Sequence, residues 1–188
     1  YQNPPQIKSG QTDFTINLAS LADGIVILKA IAFQGDEKSG LQGSSLEVAI
    51  TVDRTAPIIT AKITPSANST GWNKSDVTVT FMAIDALSGL ANVTSPVIVS
   101  TEGANQVITG TATDKAGNIA STSVTINLDK TTPQITASKN PVANALGWNK
   151  ADVEVSLTGN DLLSGIDIIS PAVVISTEGA NQVVTGTA

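Results

Sequence analysis

Leu46, Val48, Ile50 and Val52 alternate with Glu47, Ala49 and Thr51, the period of two that a half-buried strand requires. The same period returns where Val77, Val79, Phe81 and Ala83 alternate with Thr78, Thr80, Met82 and Ile84. It returns again at Ala120, Thr122, Val124, Ile126 and Leu128. Shorter apolar segments at 25–33, 57–63, 90–93, 97–101 and 106–113 are also of strand length. Turn-forming residues separate them: Ala22-Asp23-Gly24, the polar loop 34–44, a long Ser/Asn/Pro/Gly stretch at 64–75 that carries Trp72, and the turns 85–89, 102–105 and 114–118. Residues 1–18 are weakly patterned, and Pro4-Pro5 excludes a helix there. Thr and Ser fill the outward positions, where β-branched hydroxyl side chains suit both a pleat and water. No segment has a helical period. Six or seven short antiparallel strands with turns at this spacing predict an all-β protein built as a β-sandwich.

A second pattern lies over the first. Gly71-Trp72-Asn73-Lys74 recurs as Gly147-Trp148-Asn149-Lys150, and STEGANQVITGTA from Ser100 recurs from Ser176 as STEGANQVVTGTA. Asp53-Arg54-Thr55-Ala56-Pro57 recurs as Asp129-Lys130-Thr131-Thr132-Pro133. The offsets agree (147 − 71 = 76, 176 − 100 = 76, 129 − 53 = 76), so no insertion or deletion intervenes. A fixed period of this length means a tandem array of one small domain. We divide the chain into 1–52, the C-terminal part of a divergent domain; 53–128, a complete repeat; and 129–188, a repeat lacking its final strand. Val153, Val155 and Leu157 repeat the inward face of Val77, Val79 and Phe81.

Composition narrows the chemistry. Aromatic residues make up only 3 % of the chain, so the core is built from aliphatic side chains, and no cysteine is present to brace it. With neither His nor Cys, nucleophilic triads and the usual zinc and copper sites are excluded. The remaining carboxylates sit in turns, with almost no aromatic residues to line a sugar cleft, and we expect no enzyme. A net charge of −6 without a Lys/Arg cluster argues against nucleic acid. No apolar run reaches membrane length, so no membrane insertion is expected of this segment.

The motif series D-[KR]-T-x-P, GWN-x-[SA]-DV, D-x-x-SG, STEGANQ and TGTATDKAGN resembles the bacterial Ig-like tandem repeats of large surface and secreted proteins. The resemblance covers 53–188 closely, while 19–52 resembles the tail of a more divergent repeat. It implies tandem immunoglobulin-like antiparallel β-sandwich domains arranged as a rod. Strands in that order would bring the incoming linker, the loop between the second and third strands and the final hairpin loop to one pole. Those places hold Asp53, Asp85 and the Asp114/Asn118 pair, and Asp129 and Asp161 are the first two of them in the next repeat. Three carboxylates drawn together suit calcium, which takes hard oxygen ligands and would clamp each joint. The competing reading is that these residues cap their own turns.

Trp72 and Trp148, one per repeat, are expected to plug the open end of a sandwich and hydrogen-bond their indole N–H groups, with an exposed sugar-stacking platform as the alternative. Asn68, Asn73 and Asn92 match the N-glycosylation acceptor pattern, which a Ser/Thr-rich chain also produces by chance. Short Pro-containing linkers between repeats predict a quasi-linear array in which each unit touches its neighbours. The function expected is a structural stalk or fibre segment of a bacterial extracellular or cell-surface, adhesin-like protein. Its partners are neighbouring Ig-like domains, with any host-surface or matrix ligand bound elsewhere. The alternatives are a carbohydrate- or protein-binding module, and a filament subunit whose open last repeat accepts another chain's strand.

Overall fold

The structure is a computed structural model and describes residues 19, 21–34 and 41–188. The expectations for residues 1–18, and for the middle of the 34–44 loop, fall outside them. The described chain is all-β: β1 (Gly24–Gln34), β2 (Leu41–Val52), β3 (Ile58–Thr64), β4 (Val77–Ile84), β5 (Leu90–Val93), β6 (Val97–Val99), β7 (Gly103–Asp114), β8 (Ile119–Leu128), β9 (Gln134–Asn140), β10 (Val153–Asn160) and β11 (Val173–Ile175). β1 and β2 form an antiparallel pair running from Gly24↔Val52 to Gln34↔Leu41. β2 thus begins earlier than the polar residues 42–45 suggest, because ladder bonds use backbone groups that every residue carries.

Residues 53–128 supply two three-stranded sheets, β3-β4-β6 and β5-β7-β8. The alternation in β4 does what it predicts: Val77, Val79 and Phe81 are buried, whereas Met82 and Ile84 are exposed. Val99, Ala112, Ile126 and Leu128 are buried as well. The two sheets meet closely at Gly110, where a Cβ atom would lie 2.4 Å from the Phe81 ring. Only glycine lets β7 pass there, and the result is a β-sandwich-like arrangement.

Residues 129–188 form one sheet in the order β11-β10-β9. The counterparts of β5 and β7, at 166–169 and 179–188, are not strands. In the middle repeat β7 pairs with β8. Packing still follows the repeat, since Gly186 lies against Leu157 as Gly110 lies against Phe81. Val153, Val155 and Leu157 face inward but are only half-buried.

Backbone contacts gather the chain into two compact units. One holds the described residues up to Ala61 with Phe81–Ser95 and Thr109–Thr122; the other holds Lys62–Thr80, Pro96–Ile108 and Ser123–Ala188. Each unit contains one linker together with residues that precede and follow it.

Candidate functional site

The linker at 53–57 is held in both directions. Toward the preceding hairpin, the Arg54 guanidinium donates to Asp23 Oδ1 at 2.9 Å and to the Leu21 carbonyl at 3.0 Å. The Arg54 N–H and the Thr55 hydroxyl both reach Asp23 Oδ2, at 3.1 and 3.0 Å. Toward the following strands, Asp53 Oδ2 accepts the Ser88 N–H at 2.9 Å, and Asp53 Oδ1 accepts the Thr55 N–H at 3.0 Å. Asn118 Nδ2 closes the joint by donating to the carbonyls of Asp53 (3.2 Å) and Thr55 (3.4 Å). Pro57, at the end of the linker, is buried.

The linker at 129–133 repeats the arrangement with other acceptors. Lys130 Nζ reaches Asp76 Oδ1 at 3.0 Å and the Ser100 carbonyl at 2.7 Å. The Lys130 N–H donates to Glu102 Oε1, and the Thr131 hydroxyl lies 3.1 Å from both oxygens of that carboxylate. Asp129 Oδ2 accepts the Ser164 N–H at 2.9 Å, the counterpart of Asp53 with Ser88. The strand arriving at this linker is fixed to the Gly-Trp-Asn turn, because Asn73 N–H donates to the Asn127 carbonyl and Asp129 N–H to the Asn73 carbonyl, both at 2.9 Å. Exposed ion pairs such as Lys130–Asp76 stabilise by only about 0–1 kcal/mol each. What holds the linker is the number of converging bonds.

These contacts act on the carboxylates. The Ser88 hydroxyl beside Asp53, although outside hydrogen-bond geometry, joins the Thr55 and Ser88 N–H groups in holding Asp53 below the ordinary value of 3.8. The Ser164 side chain, followed by the Ser164 and Thr131 N–H groups, lowers Asp129 likewise against the opposing effect of burial. Asp23 is lowered first by the Arg54 N–H, then by the Thr55 hydroxyl and the guanidinium.

The structure brings Asp53, Asp85 and Asp114 together, with carboxylate oxygens all within 4.8 Å of one another, and Asp114 is buried. Asp85 Oδ1 caps its own turn through the N–H groups of Leu87 (3.2 Å) and Gly89 (2.7 Å). Asn118 presents its amide N–H to Asp114 Oδ2 at 2.8 Å and its backbone N–H to Asp114 Oδ1 at 2.8 Å. The donor set, three carboxylates among backbone carbonyls, is of the hard-oxygen kind that suits calcium. Among the described residues, the ion pairs of this unit lie elsewhere, at Lys29–Glu47 and Arg54–Asp23. Asp129 and Asp161 occupy the matching places in the other unit, joined through Ser164, whose hydroxyl lies 3.4 Å from Asp161 Oδ1.

The tryptophans depart from the expected plug. Trp148 is 57 % exposed, Trp72 is half-buried, and neither indole N–H has a hydrogen-bond partner among the described residues. What the Gly-Trp-Asn turn buries is its asparagine: Asn73 is 5 % exposed, and its Oδ1, like that of Asn149, is without a partner. Trp72 instead lines a cleft of about 440 Å³ with Asn68, Asn73, Asp129 and Ser164. The reach of Lys130 and Arg54 back across the linker was also missed in the sequence, although a cation at the same place in both linkers was the available signal. No family model matches the chain, and neither characterised proteins nor solved structures give a match. Among the described residues, no helix is long and apolar enough to cross a membrane.

Proposed function

We propose that the chain is a structural stalk segment of a bacterial extracellular, adhesin-like repeat protein. The observation that carries this reading is the linker: in both copies a D-[KR]-T-x-P segment is bonded backward by its cation and threonine and forward by its aspartate. A tether that lets domains swing needs none of these bonds; a strut that projects something from a surface does. The strand order β3-β4-β6 and β5-β7-β8 adds support, since it is that of an immunoglobulin-like sandwich without its fourth strand. So does the motif series shared with bacterial Ig-like repeats. In this reading 53–128 and 129–188 are successive domains, and their neighbours in the array are the partners.

Calcium is the ion we assign to Asp53, Asp85 and Asp114, with Asn118 steadying Asp114 through its amide and backbone N–H groups. It would offset two of the three carboxylate charges at the point where the linker arrives and tighten the joint. Thermal melts of the whole chain in calcium and in excess chelator test this. An ion that binds only the folded form stabilises it by about 2.7 kcal/mol at a hundredfold excess over its dissociation constant. A chelator-sensitive shift that Asp85→Asn abolishes is the expected result. Identical melts would leave the aspartates as turn caps and the joint held by hydrogen bonds alone.

A second reading rests on the 57 % exposure of Trp148, which suits a sugar-stacking platform. Saturable quenching of indole fluorescence by oligosaccharides would favour it; an unchanged spectrum would remove it.

A further inference from the structure

The joint at 129–133 has two sides, and the side that receives the linker occurs twice in the chain. In the middle repeat Asp76, the Ser100 carbonyl and Glu102 hold Lys130 and Thr131, and Trp72 lines the adjoining cleft with Asp129. Adding 76 to each position gives Trp148, Asp152, Ser176 and Glu178, with every residue type unchanged. Asp152 and Glu178 have no cationic partner among the described residues.

The second copy keeps several local bonds of the first. Asn144 Oδ1 accepts the Trp148 N–H at 3.0 Å, as Asn68 Oδ1 accepts the Trp72 N–H at 2.8 Å. Gln182 Nε2 donates to the Thr177 and Gly179 carbonyls at 2.8 and 3.4 Å, as Gln106 Nε2 does to those of Thr101 and Gly103 at 3.0 and 3.1 Å. Asn181 and Asn105 share the left-handed backbone, with φ of 57° and 55°. Val153↔Ile175 repeats the register of Val77↔Val99, and Asp152 and Ser176 directly adjoin that pair. These bonds fix the loops that carry the two carboxylates before any partner arrives, which reduces the entropy lost on binding.

We infer that the face of 129–188 formed by Trp148, Asp152, the Ser176 carbonyl and Glu178 is a docking site for the D-[KR]-T-x-P linker of a further repeat of this kind. Lysine ammonium would meet Asp152 and the Ser176 carbonyl. The threonine hydroxyl and the N–H before it would meet Glu178, and the linker would cover the indole that is now exposed. The inference rests on the joint reading given above and adds that the receiving face binds such a segment supplied as a separate molecule.

The test is titration of the capped peptide Asp-Lys-Thr-Thr-Pro-Gln, the sequence of 129–134, into the whole labelled chain, followed by amide and indole N–H resonances. Saturable shifts at Trp148, Asp152 and Glu178, with little change at Trp72, are expected. Glu178→Gln and Asp152→Asn keep the side-chain shape, and well-dispersed spectra will show that both variants fold. Each should weaken binding about tenfold, the equivalent of 1.4 kcal/mol and typical of one charged hydrogen bond. A peptide with methionine for lysine should fail to shift these resonances. A short tether supplies an effective concentration in the millimolar range. Absence of any localised shift at millimolar peptide, or equal binding by the methionine peptide, would overturn the proposal. Either result would leave the two observed joints, and the stalk reading built on them, intact.

Discussion

Single residues carry unequal weight in this chain, and Gly110 shows why. A methyl group there would occupy the space of the Phe81 ring at 2.4 Å, and neither the β7 backbone nor a buried aromatic ring can retreat without opening the core. Gly110→Ala should destabilise the protein by about 1–3 kcal/mol, the usual cost of overpacking, read as a lower urea midpoint at unchanged slope. Adding Phe81→Leu makes room and should recover part of the loss; an unaffected single variant would refute the close contact. Asn118 bears on the joint instead. Its amide links Asp114 to the linker carbonyls, so Asn118→Ala strips a donor from a buried carboxylate and from two backbone oxygens. The expected loss is about 1–3 kcal/mol, measured in the same way.

At the scale of elements, the linkers behave as charged fasteners, and their pH dependence has a definite sign. Asp23, Asp53 and Asp129 are all lowered from 3.8 by the hydrogen bonds they accept. A depressed folded value means that the stabilisation is fully present above the unfolded value and is lost as pH falls through the folded one. Melting temperature should therefore hold level down to about 3.8 and drop beneath it. Asp53→Asn combined with Asp129→Asn should flatten that drop, and a variant that still follows the parent curve would place the acid sensitivity elsewhere. The elements themselves were largely readable. β4 and β8 follow from alternation because one face of each is apolar, and β3 and β5 were legible as short apolar segments between turns. The gathering of Asp53, Asp85 and Asp114 followed only once a strand order was assumed, since their positions span 61 residues (114 − 53). The backward reach of Lys130 was signalled only by a cation at the same place in both linkers, because its acceptors Asp76 and Glu102 lie in turns whose polar residues look like ordinary solvated ones. The exposure of Trp148 was not readable, since a large apolar side chain is normally expected inside.

At the scale of the molecule, the compact units centre on the linkers and divide within the 53–128 repeat. Hydrogen exchange should reflect this. The N–H groups of Thr55, Ser88, Thr131 and Ser164 all meet aspartate oxygens at the joints and should exchange as slowly as those of the neighbouring strands. Fast exchange at these four positions, with protected strands on both sides, would show the linkers to be hinges.

The receiving face and the linker that fills it both lie inside one 76-residue period (129 − 53), with Trp72, Asp76, Ser100 and Glu102 at one end and the Asp-Lys-Thr segment at the other. Recombination that adds or removes one whole period therefore rebuilds every bond of the joint between like repeats. A gene of this design can change the length of its product in single steps, without ever passing through a protein with an unfastened joint.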